Sequence, residues 1–217
     1  MAIRILLADD HKIMRQGLRS LLEKEQDFEI IAEAANGEEA LEIACRLRPN
    51  VVIMDVAMPI LNGIQCTHRI RESAPDVKIV ALTIHKDKNY LTGMLQAGTS
   101  GYLLKDCAAE ELVHAVRVAA NGKAYVSPEV APLIIQDYKD FGRPDMKTDA
   151  SAELTLKERE VLQMIAEGTS TKEIASRLQQ SPKTVDRARA QIMRKLHVFT
   201  VAELTKYAIR NGLTSLD

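Results

Sequence analysis

Hydrophobic residues in the first 125 positions form two kinds of pattern. Five short segments are rich in Ile, Val and Leu, and several are apolar throughout, as is typical of strands buried on both faces: Ile3–Ala8, Phe28–Ala34, Val51–Met54, Val77–Leu82 and Gly101–Leu104. Between them, apolar residues recur at helical spacing. Five strands interleaved with five helices predict a doubly wound, five-stranded parallel α/β sheet. A site is then expected beyond the carboxyl ends of the strands.

Polar side chains stand at those predicted strand ends. Asp9 and Asp10 end the first strand, Asp55 the third, Thr83 the fourth and Lys105 the fifth. Three crowded carboxylates repel one another unless a cation lies among them, and oxygen donors with room for water suit Mg²⁺. Asp55 would then be the nucleophile toward a phosphoryl group. The metal, Lys105 and the Thr83 hydroxyl would each take one phosphoryl oxygen.

The last third of the chain predicts four short helices with explicit starts. Three segments fit the S/T-x-x-E capping box: Thr155–Glu158, Ser170–Glu173 and Thr200–Glu203. Ser181 followed by Pro182 marks a fourth start, and Gly168 would end the first helix. This part of the chain is therefore expected to be a small all-α domain.

The third of these helices, over Pro182–Leu196, has two different faces. Its apolar stripe would be buried: Val185, Ile192 and Leu196. The opposite face carries Lys183, Arg187, Ala190 and Arg194, flanked by Asp186 and Gln191. A helix, a turn and a basic-faced helix form the geometry that enters a DNA major groove. Basic faces are often only solvated, so the pattern alone leaves DNA binding and a plain solvated surface equally open.

Composition and charge divide the chain in the same way. The net charge is −2 over residues 1–127, −3 over 128–153 and +4 over 154–217. With 46% hydrophobic and 27% charged residues, and no apolar run near the roughly 18 residues of a membrane helix, the chain is expected to be soluble and not to span a membrane. Three cysteines without a CxxC pair indicate a reducing cytoplasm. Residues 126–152, with scattered Pro and Gly, are predicted to link domains 1–125 and 153–217, with a short helix at Pro132–Tyr138.

Four motifs of the first domain resemble the receiver domain of two-component response regulators: LLADDH (Leu6–His11), MDVAMPILNG (Met54–Gly63), ALT (Ala81–Thr83) and GYLLKD (Gly101–Asp106). The resemblance implies that Asp55 accepts phosphate from a sensor histidine kinase. It implies that Mg²⁺ is held by Asp9, Asp10, Asp55 and the backbone carbonyl of Ala57. Lys105 would pair with the phosphoryl group, and Thr83 and Tyr102 would form a switch in which the hydroxyl moves toward that group and the ring follows inward.

The second domain resembles the LuxR-type helix-turn-helix over essentially all of residues 152–213, through LTLKEREVLQMIAEG, STKEIASRLQQSPKTVDRARAQIMRKL and AELTKYAI. With the receiver, the chain resembles the NarL/FixJ-type transcription regulators. The resemblance implies phosphate contacts from Lys172, Lys183, Thr184 and Arg189, and base-edge contacts from Asp186, Arg187 and Ala190, with Arg194 on the same DNA-facing side. Two residues depart from the family pattern: Ala188, where His is frequent, and Gln191, where Asn is frequent.

The predicted function is that of a cytoplasmic, phosphorylation-controlled transcription regulator. Phosphoryl transfer to Asp55 would unmask the basic helix and permit a homodimer, with Val201–Ile209 as a contact, to bind paired half-sites of double-stranded DNA. A phosphohydrolase would need an acid where the chain has Ala57. A receiver that dimerises without phosphate would not need the complete Asp, Thr and Lys set. Beyond Mg²⁺-dependent phosphorylation and dephosphorylation of its own Asp55, the protein is not expected to be an enzyme.

Overall fold

The computed structural model describes residues 2–84, 88–141, 154–196 and 198–214. The chain forms two compact units, residues 1–142 and 143–217, each with hydrophobic core residues of its own. In the described part of the first unit the strands are β1 (Ile3–Ala8), β2 (Phe28–Ala34), β3 (Val51–Asp55), β4 (Lys78–Thr83), β5 (Gly101–Leu104) and β6 (Tyr125–Val126). The helices are α1 (Lys12–Leu22), α2 (Gly37–Leu47), α3 (Gly63–Ser73), α4 (Lys88–Gln96), α5 (Ala109–Ala120) and α6 (Ala131–Phe141).

The strands form one parallel sheet in the order β2-β1-β3-β4-β5-β6. Neighbouring strand residues point to opposite faces, so Leu6 and Val52 join one core while Ile5 and Val51 join the other. The first core contains buried residues of α2, α3 and α4, and the second contains those of α1 and α5. The predicted doubly wound parallel sheet is therefore confirmed.

Within the residues that the structure describes, the sheet has six strands, whereas the sequence predicts five. The additional strand, β6, has two residues and pairs with β5 through Gly101–Tyr125 and Tyr102–Val126. Two further hydrogen bonds extend the pairing, from the amide of Tyr125 to the carbonyl of Ser100 and from the amide of Ser127 to the carbonyl of Tyr102. A strand of two residues is too short for a hydrophobic period, so only its pairing with β5 reveals it.

Much of the segment predicted as a linker belongs to the first unit. Helix α6 contains the predicted short helix Pro132–Tyr138 and is longer at both ends. Val130 is buried in the core beside α4, and Leu133 and Ile134 pack against that core. The remaining linker residues, 142–152, lie outside the described residues.

The second unit contains, in its described residues, the four predicted helices: α7 (Leu156–Ala166), α8 (Thr171–Arg177), α9 (Pro182–Lys195) and α10 (Val201–Arg210). All three predicted capping boxes are present with both of their hydrogen bonds, at Thr155, Ser170 and Thr200. Ser181 caps α9 through the amide of Thr184, with Pro182 in its first turn. Gly168, with a φ of 78°, follows the end of α7 in the left-handed conformation that glycine adopts without strain.

The core of the second unit contains buried residues from all four helices. Val185, Ile192 and Leu196 are buried there, as the spacing in α9 predicts, together with Ile174 of α8 and Leu204 of α10. Across the described part of the chain, no helix combines the length and hydropathy that a membrane crossing requires.

Candidate functional site

The loop between β3 and α3 fixes the position of Asp55. Asp55 is the last residue of β3 and is 4% exposed. The amide of Gly63 donates to the carbonyl of Val56 (2.9 Å), and the Asn62 side chain caps α3 through the amide of Gln65 (2.9 Å). The amide of Ala57 points back to Asp55 Oδ1 at 3.4 Å. The carboxylate is therefore held at the edge of the sheet by a closed loop.

Gly63 permits this closure because a side chain has no room there. A Cβ at position 63 would overlap the carbonyl oxygen of Asp55 and lie 2.8 Å from Cα of Val56. We expect Gly63→Ala to lower the free energy of unfolding by about 1–3 kcal/mol, because the loop must shift to make room for the methyl group. Gly17→Ala in α1 is the matched control, since nothing lies within 4 Å of its added methyl, and it should stabilise by roughly 1 kcal/mol. Denaturant unfolding compares the two; equal effects would contradict the loop argument.

An acidic cluster forms where β1 and β3 end. Among the described residues, Asp9, Asp10, His11 and Asp55 offer ligand atoms that all lie within 4.8 Å of one another. The amide of His11 donates to Asp9 Oδ1 (2.8 Å), and His11 Nδ1 lies 2.8 Å from Asp10 Oδ1. These carboxylates were predicted to converge, and the sheet brings them together.

Lys105 follows β5 and reaches two of these carboxylates. Its Nζ lies 2.7 Å from Asp55 Oδ2 and 2.7 Å from Asp9 Oδ2. The three side chains are only 3–7% exposed. One ammonium group thus pairs with two buried acids, one directly after β1 and one at the end of β3.

Burial and charge oppose each other in the pKa of Asp55. The net result is a pKa raised from 3.8 to about 6: burial is the largest cause and raises it, the nearby ammonium of Lys105 lowers it by less, and the carboxylate of Asp9 adds a smaller rise. Burial alone would lower the pKa of Lys105, but attraction and hydrogen bonding to Asp55 and Asp9 raise it above its ordinary value. Lys105 is therefore charged at neutral pH, and Asp55 is ionised above about pH 6.

The two residues predicted to form a switch lie on β4, which pairs with β3, and on the next strand, β5. Thr83 is the last residue of β4 and is fully buried. Tyr102 lies on β5 opposite Ala81 and is buried in the same core as Tyr90 and Met94. The Tyr102 ring, which was expected to move inward, therefore already has an inward position in this structure.

The predicted DNA-facing residues lie on the outer surfaces of α8 and α9. Most are exposed: Lys172, Lys183, Thr184, Asp186, Arg187, Ala190 and Arg194. Arg189 is half-buried, and its Nη2 lies 3.2 Å from Asp186 Oδ1. The Thr184 hydroxyl lies 2.8 Å from that of Ser181, at the start of α9. The surface is therefore basic, but two of its residues form an ion pair and a third takes part in the helix cap.

Lys195 and Ala188 of the second unit have positions that the sequence did not reveal, whereas Gln191 lies on the outer side where it was predicted. Lys195 Nζ lies 2.8 Å from Glu158 Oε2, so this lysine joins α9 to the capping box of α7. Ala188, one of the two departures, packs against the core, whereas Gln191 is exposed. The departure at Ala188 therefore affects packing, and Gln191 remains on the outer face.

Two family models match the two units. Residues 5–117 match the response regulator receiver domain, and residues 152–208 match the bacterial regulatory proteins of the luxR family. The described cores of the two units lie largely within these matches.

Similar proteins match nearly the full length of the chain. The transcriptional regulatory protein DegU of Brevibacillus brevis is 35% identical over 97% of this chain and 94% of its own length. The oxygen regulatory protein NreC of Staphylococcus epidermidis is 36% identical, covering 97% of this chain and 99% of NreC. A solved structure of two RcsB dimers bound to two parallel DNAs aligns with a TM-score of 0.60 at 27% identity, covering 97% of this chain and 99% of that one. The chain therefore belongs to the response regulators in which a receiver domain is followed by a LuxR-type helix-turn-helix domain.

Proposed function

We propose that this protein is a transcription regulator that accepts a phosphoryl group on Asp55 from a sensor histidine kinase and, as a phosphorylated homodimer, binds promoter DNA. The single observation that carries the proposal is the position of Lys105, 2.7 Å from both Asp9 and Asp55 at one edge of the sheet. A buried nucleophile beside a cation and a second carboxylate is the arrangement that phosphoryl transfer requires. The double-stranded DNA partner implies a cytoplasmic location.

The chemical step is a transfer between two nucleophiles. An oxygen of Asp55 attacks the phosphorus of a phosphohistidine, the new O–P bond forms as the P–N bond breaks, and the imidazole leaves with the electron pair. The Lys105 ammonium would donate hydrogen bonds to one phosphoryl oxygen, and the Thr83 hydroxyl would donate one to another phosphoryl oxygen. Because Asp55 must be ionised to attack, its raised pKa of about 6 predicts slower phosphorylation as the pH falls through that value.

The acidic cluster fits Mg²⁺ by the chemistry of its donors. Asp9, Asp10 and Asp55 supply hard carboxylate oxygens within 4.8 Å, and Ala57 supplies a backbone carbonyl two residues after Asp55. Asp9, Asp10 and Asp55 would hold the ion, and its positive charge would offset theirs and that of the phosphoryl group. Lys105 pairs with two of these three acids, Asp9 and Asp55, and so fixes the positions of their carboxylates.

Thr83 and Tyr102 would couple the presence of the phosphoryl group to a conformational change in the rest of the receiver. Thr83 ends the strand next to Asp55, and Tyr102 lies on the following strand. In the proposed switch, attraction of the hydroxyl to the phosphoryl group favours one of two conformations that pre-exist, with the ring inward.

The second unit would bind DNA through α9, with α8 against the backbone. Lys172, Lys183, Thr184 and Arg189 are the proposed phosphate contacts. The proposed base contacts are Asp186, Arg187 and Ala190, with Arg194 on the same face. The DNA-bound RcsB dimers support this assignment by likeness of fold and sequence. Helix α10 is the proposed dimer contact.

We further propose that the protein turns over no outside substrate. The residue two positions after Asp55 is Ala57, which has no proton to give to a leaving group. Its only chemistry in this proposal is gain and loss of the phosphoryl group on Asp55.

One experiment tests the proposed function as a whole. The full chain is incubated with acetyl phosphate and MgCl₂, and bound DNA is then enriched from random sequence, with Asp55→Asn in parallel. We expect phosphate on the parent alone and a two-fold symmetric DNA site enriched more strongly by the phosphorylated protein. Equal phosphate uptake by both proteins would exclude Asp55 as the acceptor. Enrichment of the same site with equal strength from the parent and the variant would exclude phosphate control.

The phosphate contacts predict a change in salt dependence. Lys183 is exposed at the start of α9, and removing one phosphate contact should reduce the slope of log K against log salt by about 1 for any DNA sequence. Lys183→Ala should therefore weaken binding at low salt and flatten this slope. Lys157→Ala, an exposed lysine of α7, is the control of equal charge and should leave the slope unchanged. Equal slopes for parent and Lys183→Ala would remove this residue from the DNA surface.

A further inference from the structure

Arg15 of α1 lies against the backbone of the acidic cluster. Its Nη1 donates to the carbonyl oxygen of Asp9, and its Nε lies 3.4 Å from Glu33 Oε2 on β2. The Arg15 side chain is 13% exposed. This guanidinium therefore connects three elements, α1, the end of β1 and the edge strand β2, at the point where the acidic pair begins.

The carbonyl that Arg15 binds belongs to the peptide between the two acids. The rest of Asp9 is also held: its amide donates to Ala34 O (3.2 Å), its Oδ1 accepts from the amide of His11 (2.8 Å), and its Oδ2 meets Lys105 (2.7 Å). Because a peptide unit is planar, fixing the Asp9 carbonyl also fixes where the amide and Cα of Asp10 lie, and the Asp10 side chain starts from that Cα. Asp10 itself is 31% exposed.

The charge of Arg15 cannot be the reason for its position beside this cluster. A guanidinium close to carboxylates opposes the binding of a cation there. Glu33 offsets that charge, and it also pairs with Arg19 of the same helix, Nε to Oε1 at 2.8 Å. Arg19 also pairs with Glu23, with its Nη1 3.2 Å from Glu23 Oε1. Two arginines and two glutamates thus form a network without net charge, which leaves the negative potential of the cluster available.

We infer that Arg15 is a positioning residue for cation binding, which sets the orientation of the Asp9–Asp10 peptide so that both carboxylates face one Mg²⁺. The inference rests on the proposed function, since it concerns the same acidic cluster. Residues that orient metal ligands without touching the metal change affinity by about 10–100-fold when they are replaced. Arg15 contacts no reacting atom, and it acts only through the peptide it holds.

The sign of the effect separates positioning from electrostatics. Arg15→Gln removes a positive charge, so electrostatics alone would tighten Mg²⁺ binding, whereas loss of positioning weakens it. Arg19→Gln is the matched control, because it removes the same charge and the same Glu33 partner without touching Asp9. Arg15→Lys keeps the charge but not the planar fork that reaches both the carbonyl and Glu33, so it should restore binding only in part.

The test is thermal unfolding of the full chain over a MgCl₂ series at constant ionic strength, which gives an apparent Kd for each variant from the shift in Tm. We expect Kd to rise about tenfold in Arg15→Gln, less in Arg15→Lys, and not at all in Arg19→Gln. Arg15→Gln with the parent's Kd, or with a lower one, would overturn the inference. Asp10→Asn should lose the Mg²⁺-dependent shift. If the parent itself shows no shift, or Asp10→Asn keeps it, the proposed metal site fails and the inference fails with it.

Discussion

Asp55→Asn is expected to make the protein more stable while abolishing its phosphorylation. Asp55 is buried and its pKa is raised from an ordinary 3.8 to about 6, so the folded state disfavours the ionised carboxylate. At pH 7 the ionised group costs stability of about 3 kcal/mol, because one pKa unit corresponds to about 1.4 kcal/mol. The neutral amide does not carry that cost, and it is no longer a nucleophile.

The pH dependence of this gain identifies its cause. For an acid with a raised folded pKa, the cost is present above about pH 6 and disappears as the pH falls toward 3.8. The difference in unfolding free energy between Asp55→Asn and the parent should therefore be largest at pH 7 and fall to near zero at about pH 4. Urea unfolding at four pH values measures it. Asp76→Asn, at an exposed position, should change stability by less than about 0.5 kcal/mol. A gain for Asp55→Asn that does not vary with pH would exclude the buried charge as its source.

The stability cost and the chemistry of Asp55 share one physical origin. Burial raises the pKa of Asp55 and also removes the water that would otherwise solvate its carboxylate. The carboxylate oxygens are therefore poorly solvated and more nucleophilic, with Lys105 Nζ 2.7 Å from Oδ2. The ionised state of Asp55, which is the state proposed to accept a phosphoryl group, is therefore the one in which this site lowers the stability of the protein.

The sequence predicted the sheet well because its strands are buried on both faces. The predicted bounds of β1, β2 and β5 agree with the structure, and those of β3 and β4 differ by one residue. Continuous apolar runs end where polar residues begin, so they also place the acids, Thr83 and Lys105 at one edge. The helix starts of the second unit were predicted for a local reason, since each capping box is complete within four residues.

Contacts between distant residues could not be predicted in this way. The ion pair of Lys105 with both Asp9 and Asp55 depends on strand order and on the reach of one side chain. The contacts of Arg15 with Asp9 and of Lys195 with Glu158 cannot be predicted from local sequence. A charged residue on a helix is ordinarily expected to face solvent, and nothing near it in the sequence indicates otherwise. Pairing with a neighbouring strand alone defines β6. In each case the missing information is tertiary.

Lys105→Met is expected to destabilise the protein at pH 7 by about 3–5 kcal/mol, because it leaves two buried carboxylates without their cation. Loss of the ammonium raises the pKa of Asp55 further above 6, since Lys105 now lowers it. Protonation then removes the unpaired charge at a higher pH. The deficit of Lys105→Met should therefore shrink as the pH falls from 8 to 5, whereas the deficit from an apolar packing defect would not change with pH.

A double-mutant cycle with Asp55→Asn isolates the pair. In the Asp55→Asn background only Asp9 loses its partner, so Lys105→Met should cost less than it does in the parent, by at least about 1 kcal/mol. MgCl₂ should restore part of the stability of Lys105→Met, because a cation among the same acids replaces the missing charge. Lys123→Met, at an exposed position beyond α5, is the control and should be neutral. Equal costs of Lys105→Met in the two backgrounds would show that the stability of the site does not depend on the Lys105–Asp55 contact. In that case the proposed contact of the Lys105 ammonium with the phosphoryl group would have to be explained without its pairing to Asp55.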